Sequence, residues 1–338
     1  MHLYRRLVLA VLLALGVVAP AFAGTLNIYS YRAPQLLAPL LEAYGKKTGT
    51  EFNVVHAPQG LAQRLQAEGA SSPADIVLTS DVSRIVELAE LDLLAPVSSP
   101  VIERNVPQYL REKEGRWIAL STRARILAVS KDRVAEGSIS RIEDLADPKW
   151  KGRVCSRKGS HVYNRALLAS LIAHHGEAEA EAWARGLVAN LARKPQGNDR
   201  AQAKAIFSGE CDVALMNTYY YGNMKFNTDN PEQKLWAESI RLVFLNQEDR
   251  GQHINISGGG IVRTSPRAEE ARAFLEWLTE KEAQSIYASV NFEYPVNPAV
   301  SADSEVASWG SFRVDTLPIE SLAEYSRAAQ MIINRTGW

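Results

Sequence analysis

Three strand–helix alternations in succession, between residues 25 and 90, constrain this chain more than any other feature. Thr25 to Ser30 reads as a strand with Leu26 and Ile28 on one face. Pro34 suits the first turn of a helix. Leu36, Leu37, Leu40, Leu41 and Tyr44 give that helix an apolar stripe, which Gly49 ends. Phe52 to Val55 is a second strand, Leu61 to Glu68 a short helix, and Asp75 to Thr79 a third strand. A helix bearing Ile85, Leu88 and Ala89 follows, with Asp81 as its cap. Such alternation places the chain in the α/β class with a mostly parallel sheet.

Further strands are expected over Trp117–Leu120 and Ile126–Ser130. After a turn at Asp147 to Gly152, a second α/β series begins. It comprises a strand ending at Cys155, helices over Tyr163–His175, Glu177–Arg193 and Asp199–Phe207, and a strand over Asp212–Met216. Strands return near Arg241–Leu245 and Gly260–Val262, with Gly258-Gly259-Gly260 read as a tight turn into the latter. A helix with Ala271, Phe274, Leu275 and Leu278 and a final helix over Ile319–Ile333 complete the order. The 338 residues leave room for two domains or one large one. Two interleaved lobes joined by crossing strands satisfy the pattern, and so does a single α/β domain.

The first residues read as an address. Arg5 and Arg6 precede an apolar run from Leu7 to Val18, Pro20 breaks it, and Ala21-Phe22-Ala23 is a small-x-small cleavage signal. This is the pattern of a secretory signal peptide over residues 1–23, too short to span a bilayer. The remainder is expected in the periplasm, not embedded in the membrane. Lys and Arg total 38 and so do Asp and Glu, a balance that argues against a nucleic-acid surface. In an oxidising compartment the two cysteines, Cys155 and Cys211, are a disulfide candidate, two buried thiols being the other reading.

No nucleophile elbow, P-loop or H-E-x-x-H motif is present. His174-His175 end a helix, where imidazolium suits the dipole, while His56 and His253 are isolated. Tyrosine stands out instead. Of twelve, three are consecutive, Tyr219-Tyr220-Tyr221, just beyond the strand ending at Met216. Open α/β sheets bind ligands at the carboxyl ends of strands, and ordinary aromatic packing is the alternative. Lys158 to Tyr163 repeats the layout: a strand end, a glycine loop, and a helix start with Ser160 as cap and free N–H groups suited to an anion. Gln196-Gly197-Asn198-Asp199-Arg200 is another polar helix entrance, read either as a ligand-binding entrance or as a simple cap at Asn198. Arg32 lies just outside the first strand's carboxyl end.

These segments together resemble the periplasmic ferric-ion-binding proteins of bacterial ABC importers. The resemblance rests on Tyr29-Ser30-Tyr31-Arg32, on Arg153 to Asn164 and on Gly209 to Tyr220. Ala74 to Leu78 and Glu293 to Pro298 are similar to the wider binding-protein family. It implies the type II periplasmic binding protein fold, in which two α/β lobes with crossing hinge strands close on a ligand cleft. The lobes are expected over residues 24–122 with 248–300, and over 123–247 with 301–338. The resemblance also implies that Tyr219 and Tyr220 ligate Fe(III), with Tyr163 as third ligand in a three-tyrosine subgroup. Some members add histidine or acidic ligands from the first lobe. Here Ala33-Pro34 follow Tyr31-Arg32, and no carboxylate lies near Gln59-Gly60. Tyr221 matches no ligand. The implied partner is an inner-membrane ABC permease, and the chain is expected to be a monomer and not an enzyme.

The chemistry suits those groups. Fe(III) is small and hard and favours oxygen donors. A phenol is neutral at pH 7 until a bound cation favours its deprotonated form. Three phenolates would balance the ion's charge and leave positions for a bidentate anion such as carbonate or bicarbonate. The planar fork of Arg32 and the helix start at Ser160 are its candidate partners. Two other readings stand beside this one: a binding protein for an oxyanion or small organic ligand, and a secreted metal-dependent enzyme.

Overall fold

The computed structural model describes residues 24–338, and the expected leader over residues 1–23 lies outside them. The first series comprises β1 (Thr25–Ser30), α1 (Pro34–Thr48), β2 (Glu51–His56), α2 (Leu61–Glu68), β3 (Ile76–Thr79), α3 (Val82–Glu90), β4 (Leu94–Ala95), α4 (Pro100–Asn105) and β5 (Ile118–Ser130). The second comprises β6 (Val154–Cys155), α5 (Val162–His175), α6 (Glu177–Ala189), α7 (Asp199–Phe207), β7 (Val213–Asn217), α8 (Thr218–Lys225), α9 (Glu232–Glu238) and β8 (Ile240–Val243). The chain then returns through β9 (Ile254–Val262), α10 (Ala268–Leu278) and α11 (Lys281–Ser289), and ends in α12 (Ser304–Ser308), α13 (Ser321–Glu324) and α14 (Ser326–Thr336).

The early alternation appears as read. β1 pairs in parallel with both β2 and β3. Pro34 opens α1, and Gly49 closes it at φ 77°, a left-handed conformation that costs glycine little. Asp81 caps α3 by accepting the Ser83 N–H at 2.9 Å.

The middle of the chain departs from expectation. The two strands expected over Trp117–Leu120 and Ile126–Ser130 are one strand, β5, 13 residues long and buried throughout. Ser121 to Arg125 break the apolar pattern yet find partners inside: the Ser121 hydroxyl donates to Glu293 at 2.6 Å, and Arg125 meets Asp199 at 2.6 Å. From Ile118 to Ala124, β5 pairs with β9; from Arg125 onward it pairs with β7 and then also β8. It therefore passes from one lobe into the other.

The triple glycine is not a turn either. Gly258, Gly259 and Gly260 lie within β9, between β3 and β5. A Cβ on Gly259 would sit 2.9 Å from Leu120 Cδ1, and one on Gly260 2.8 Å from the Arg116 carbonyl oxygen. The close approach of neighbouring chain selects glycine here. The final helix expected over Ile319–Ile333 is two helices, α13 and α14, broken at Tyr325. Each half serves a different core: Leu322 packs with the first lobe, Ile332 and Ile333 with the second.

Three apolar clusters hold the lobes. One gathers β1, β3, α1 and α10 around Tyr44, Phe274 and Trp277. A second surrounds Trp150, Trp183 and Trp338, and a third contains Cys155, Met216 and Met224. Cys155 and Cys211 are joined in a disulfide that ties β6 to the approach of β7. Among the described residues, no helix is long and apolar enough to cross a membrane.

Candidate metal-binding cleft

β7 runs straight into α8, so Tyr219 and Tyr220 fall in that helix's first turn. Tyr163 is the second residue of α5, which follows β6 through a short loop. These two helix starts converge. The Tyr163 and Tyr219 hydroxyl oxygens are 3.1 Å apart, and the Tyr220 ring stacks on Tyr219 with centroids 4.4 Å apart. All three face a cavity of about 300 Å³ whose other wall belongs to the first lobe. Tyr221 turns away, its ring edge-on to Trp309 at 5.7 Å, as the roughly 100° advance per helical residue requires.

One carboxylate organises the tyrosine wall. Asp199 opens α7 and is fully buried. It accepts the Asn217 N–H at 2.8 Å, Arg125 Nη1 at 2.6 Å and Arg157 Nη1 at 3.0 Å. Arg125 Nη2 in turn donates to Asn164 Oδ1 at 2.7 Å. Asp199 thereby ties the residue before α8 to the turn that carries Tyr163. Burial alone would raise its pKa, but Arg125 and Arg157 outweigh burial and hold it below the ordinary carboxylate value. Burial, reinforced by Tyr163 and Tyr220, pushes the Tyr219 phenol well above its ordinary value. Burial and then Asp199 push Tyr220 up to about 12. Without a cation both phenols are neutral.

The first-lobe wall is built differently. Arg32, only 3% exposed, places Nη2 2.7 Å from Glu293 Oε2 and donates from Nη1 to the Ser257 hydroxyl. Its fork is therefore already engaged. Arg123 donates to Ser257 Oγ at 3.1 Å and to the Ser80 carbonyl oxygen. Across the cleft, on α7 of the second lobe, the Arg200 guanidinium lies 5.0 Å from the Tyr220 ring centroid. Among the described residues, no carboxylate pairs with Arg123 or Arg200. Ser160 is exposed and lies outside the cavity lining. The cap of α5 is His161 instead, whose Nδ1 accepts the Tyr163 N–H at 3.3 Å. Burial and the neighbouring Arg157 push this imidazole down to about 3, which leaves that lone pair available. Asn198 proves to be a cap, accepting the Ala201 N–H at 3.1 Å.

Among the cavity residues that sequence reasoning missed are His56, Arg123 and Glu293, while Arg200 was noted only as part of a polar helix entrance. His56 ends β2 and so obeys the same carboxyl-end rule that picked out Arg32. Arg123 interrupts an apolar run that is in fact one strand, and Arg200 stands two residues after the cap at Asn198. Glu293 had no local signal beyond the resemblance of its segment. Among the described residues, no group of three His, Cys, Asp or Glu side chains could hold a metal ion. The donors that converge are phenol oxygens.

Comparison with known proteins identifies relatives of this chain. Iron uptake protein A1 of Synechocystis is 42% identical over 320 residues, covering 94% of this chain and 89% of that protein. The crystal structure of apo ferric ion-binding protein A from Pasteurella haemolytica superposes with a TM-score of 0.88 at 42% identity, over 93% of this chain and 98% of that one. The Trichodesmium protein IdiA (FutA), solved in complex with iron and citrate ligands, gives a TM-score of 0.88 at 40% identity, over 93% and 100%. The two-lobed periplasmic binding protein fold expected from the sequence is thus the fold of this chain. Residues 71–314 match the family described as bacterial extracellular solute-binding protein, and the chain belongs to that family.

Proposed function

We propose that this chain captures Fe(III) as cargo between its lobes and hands it to an inner-membrane ABC permease. The convergence of Tyr163 with Tyr219, 3.1 Å apart from two separate helix starts, carries the reading. Packing alone does not call for two phenol oxygens side by side at a cavity, whereas a hard cation does. Tyr163, Tyr219 and Tyr220 are the proposed ligands, each giving up its proton as the ion binds. The similarity to proteins named for iron uptake and ferric binding supports the same cargo.

Three phenolates leave coordination positions for an oxyanion, carbonate or the carboxylates of a chelate. The guanidiniums lacking a carboxylate partner, Arg123 and Arg200, are better placed for it than Ser160, with Arg32 supporting through its own pair. The leader pattern and the extracellular family support a periplasmic location. The partner switch within β5 supports lobe boundaries near residues 122 and 247, and membership in a solute-binding family sets the enzyme reading aside. The same guanidiniums favour one second reading, a binder of an oxyanion without iron.

Titrating metal-stripped protein with ferric citrate, with and without bicarbonate, separates the two. Ferric capture predicts a broad visible band from phenolate-to-iron charge transfer that saturates at one iron per chain. No band, with heat stability unchanged by iron but raised by bicarbonate alone, would leave the oxyanion reading.

A further inference from the structure

Helix α8 has two working faces. Its first turn presents Tyr219 and Tyr220 to the cavity, while Gly222, and Phe226 just past the helix's end, face a segment that belongs to the other lobe. That segment, residues 291–293, is held to the first lobe on both sides of Phe292. Asn291 Nδ2 donates to the Leu36 carbonyl at 3.0 Å, and Glu293 pairs with Arg32 at 2.7 Å. Phe292 between them adopts φ 57°, a left-handed conformation that a bulky residue takes only when its surroundings impose it. The result is that its ring lies on the bare backbone of α8: a Cβ added to Gly222 would fall 2.4 Å from Phe292 Cγ. The ring also stacks on Phe226, with centroids 5.5 Å apart and planes 8° apart. Downstream, Glu305 grips Lys225 of the same helix at 2.8 Å.

We propose that Phe292, seated in the Gly222 notch, is a positioning residue that clasps the first lobe to the tyrosine-bearing helix and holds the cleft closed around its cargo. The proposal rests on the ferric reading for the identity of that cargo, but the clasp itself does not touch the metal. One strained backbone turn sends Phe292 onto α8 and its neighbour Glu293 into the cavity, so the position of the tyrosine pair and that of the first-lobe wall are set by the same three residues.

The test uses the whole mature protein as parent, Phe292→Ala, Gly222→Ala and Phe292→Tyr. Iron-loaded samples are challenged with EDTA and the decay of the visible band is followed; iron-free samples are measured by small-angle scattering and thermal melting. A clasp predicts that Phe292→Ala and Gly222→Ala lose iron about tenfold faster, from the loss of one stacked aromatic contact and its buried area. The band position stays that of the parent, because the ligands are intact, and Phe292→Tyr keeps the parent rate. Iron-free Phe292→Ala is expected to be more open in scattering. Parent-like iron loss in a variant that still melts cooperatively would overturn the clasp, as would equal acceleration in Phe292→Tyr. A parent without any band would overturn the ferric reading alone; the clasp would then stand or fall on the scattering difference.

Discussion

The two walls of the cleft treat charge in opposite ways. On the first-lobe wall, Arg32 and Glu293 are both 3% exposed and neutralise each other, with Ser121 and Ser257 completing their hydrogen bonds. On the second-lobe wall, the buried ions lie one layer behind the surface, where Asp199 holds Arg125 and Arg157. The groups that reach the cavity there include three neutral phenols and the Arg200 guanidinium, which no carboxylate among the described residues neutralises. The Arg32–Glu293 pair is thus complete as it stands, whereas the phenols of the second wall supply negative charge only when something positive arrives. On the proposed ferric reading, this difference gives cargo ligation to the second lobe and closure to the first.

The strongest way to break this contrast is at the ion pairs themselves. Asp199→Ala strands two buried guanidiniums and should cost about 3–5 kcal/mol in denaturant unfolding. Because Asp199 also fixes Asn217 and, through Arg125, Asn164, this variant should lose the ferric band as well. Glu293→Gln should keep that band. A parent-like ferric spectrum in Asp199→Ala would show that the tyrosines are positioned by something else.

The disulfide offers a smaller perturbation confined to one lobe. Cys155 ends β6 and Cys211 precedes β7, so their bridge joins the two strands that lead to Tyr163 and Tyr219. Replacing both by alanine should lower stability by about 2–4 kcal/mol, read as a shift of the urea midpoint. Added ferric ion should recover part of that loss, since ligation ties the same two helix starts together. No recovery would separate the bridge from the site.

Acid should act least, and on the second lobe. Glu143 is buried enough to raise its pKa, yet Asn246 and Arg250 overcome that and bring it down to about 2. A carboxylate lowered in the folded state contributes stability that is present above its unfolded value and is lost as pH falls toward 2. Unfolding midpoints at pH 6 and pH 3 should therefore differ less in Glu143→Gln than in the parent. An unchanged difference would remove this network from the acid response.

Much of the fold was legible because its signals are local. Pro34, Gly49 and Asp81 mark helix ends through their own backbone preferences, and α2 and α7 have the expected bounds. What failed to read were features defined by tertiary neighbours. β5 looks broken because Ser121, Thr122, Arg123 and Arg125 are polar, and partners brought from residues 199, 257 and 293 make the burial of Ser121, Arg123 and Arg125 tolerable. Gly258 to Gly260 look like a turn because a glycine run carries no sign of the Leu120 and Arg116 atoms that press against it. The site divides along the same line. The tyrosines follow strand ends and could be picked out, whereas Glu293 reaches the cavity from a loop far along the chain. Ser160 fits the cap rule by composition, but the turn from Lys158 to His161 leaves it outside and hands the cap to the imidazole.

The most direct test of the central claim is ferric binding by the Tyr219→Phe/Tyr220→Phe double variant, measured by equilibrium dialysis against ferric citrate alongside the parent. The account predicts that affinity falls more than about 100-fold, beyond the effect of an outer-shell change, and that the visible band disappears while the iron-free protein still unfolds cooperatively. Tight binding retained by a folded double variant would contradict it.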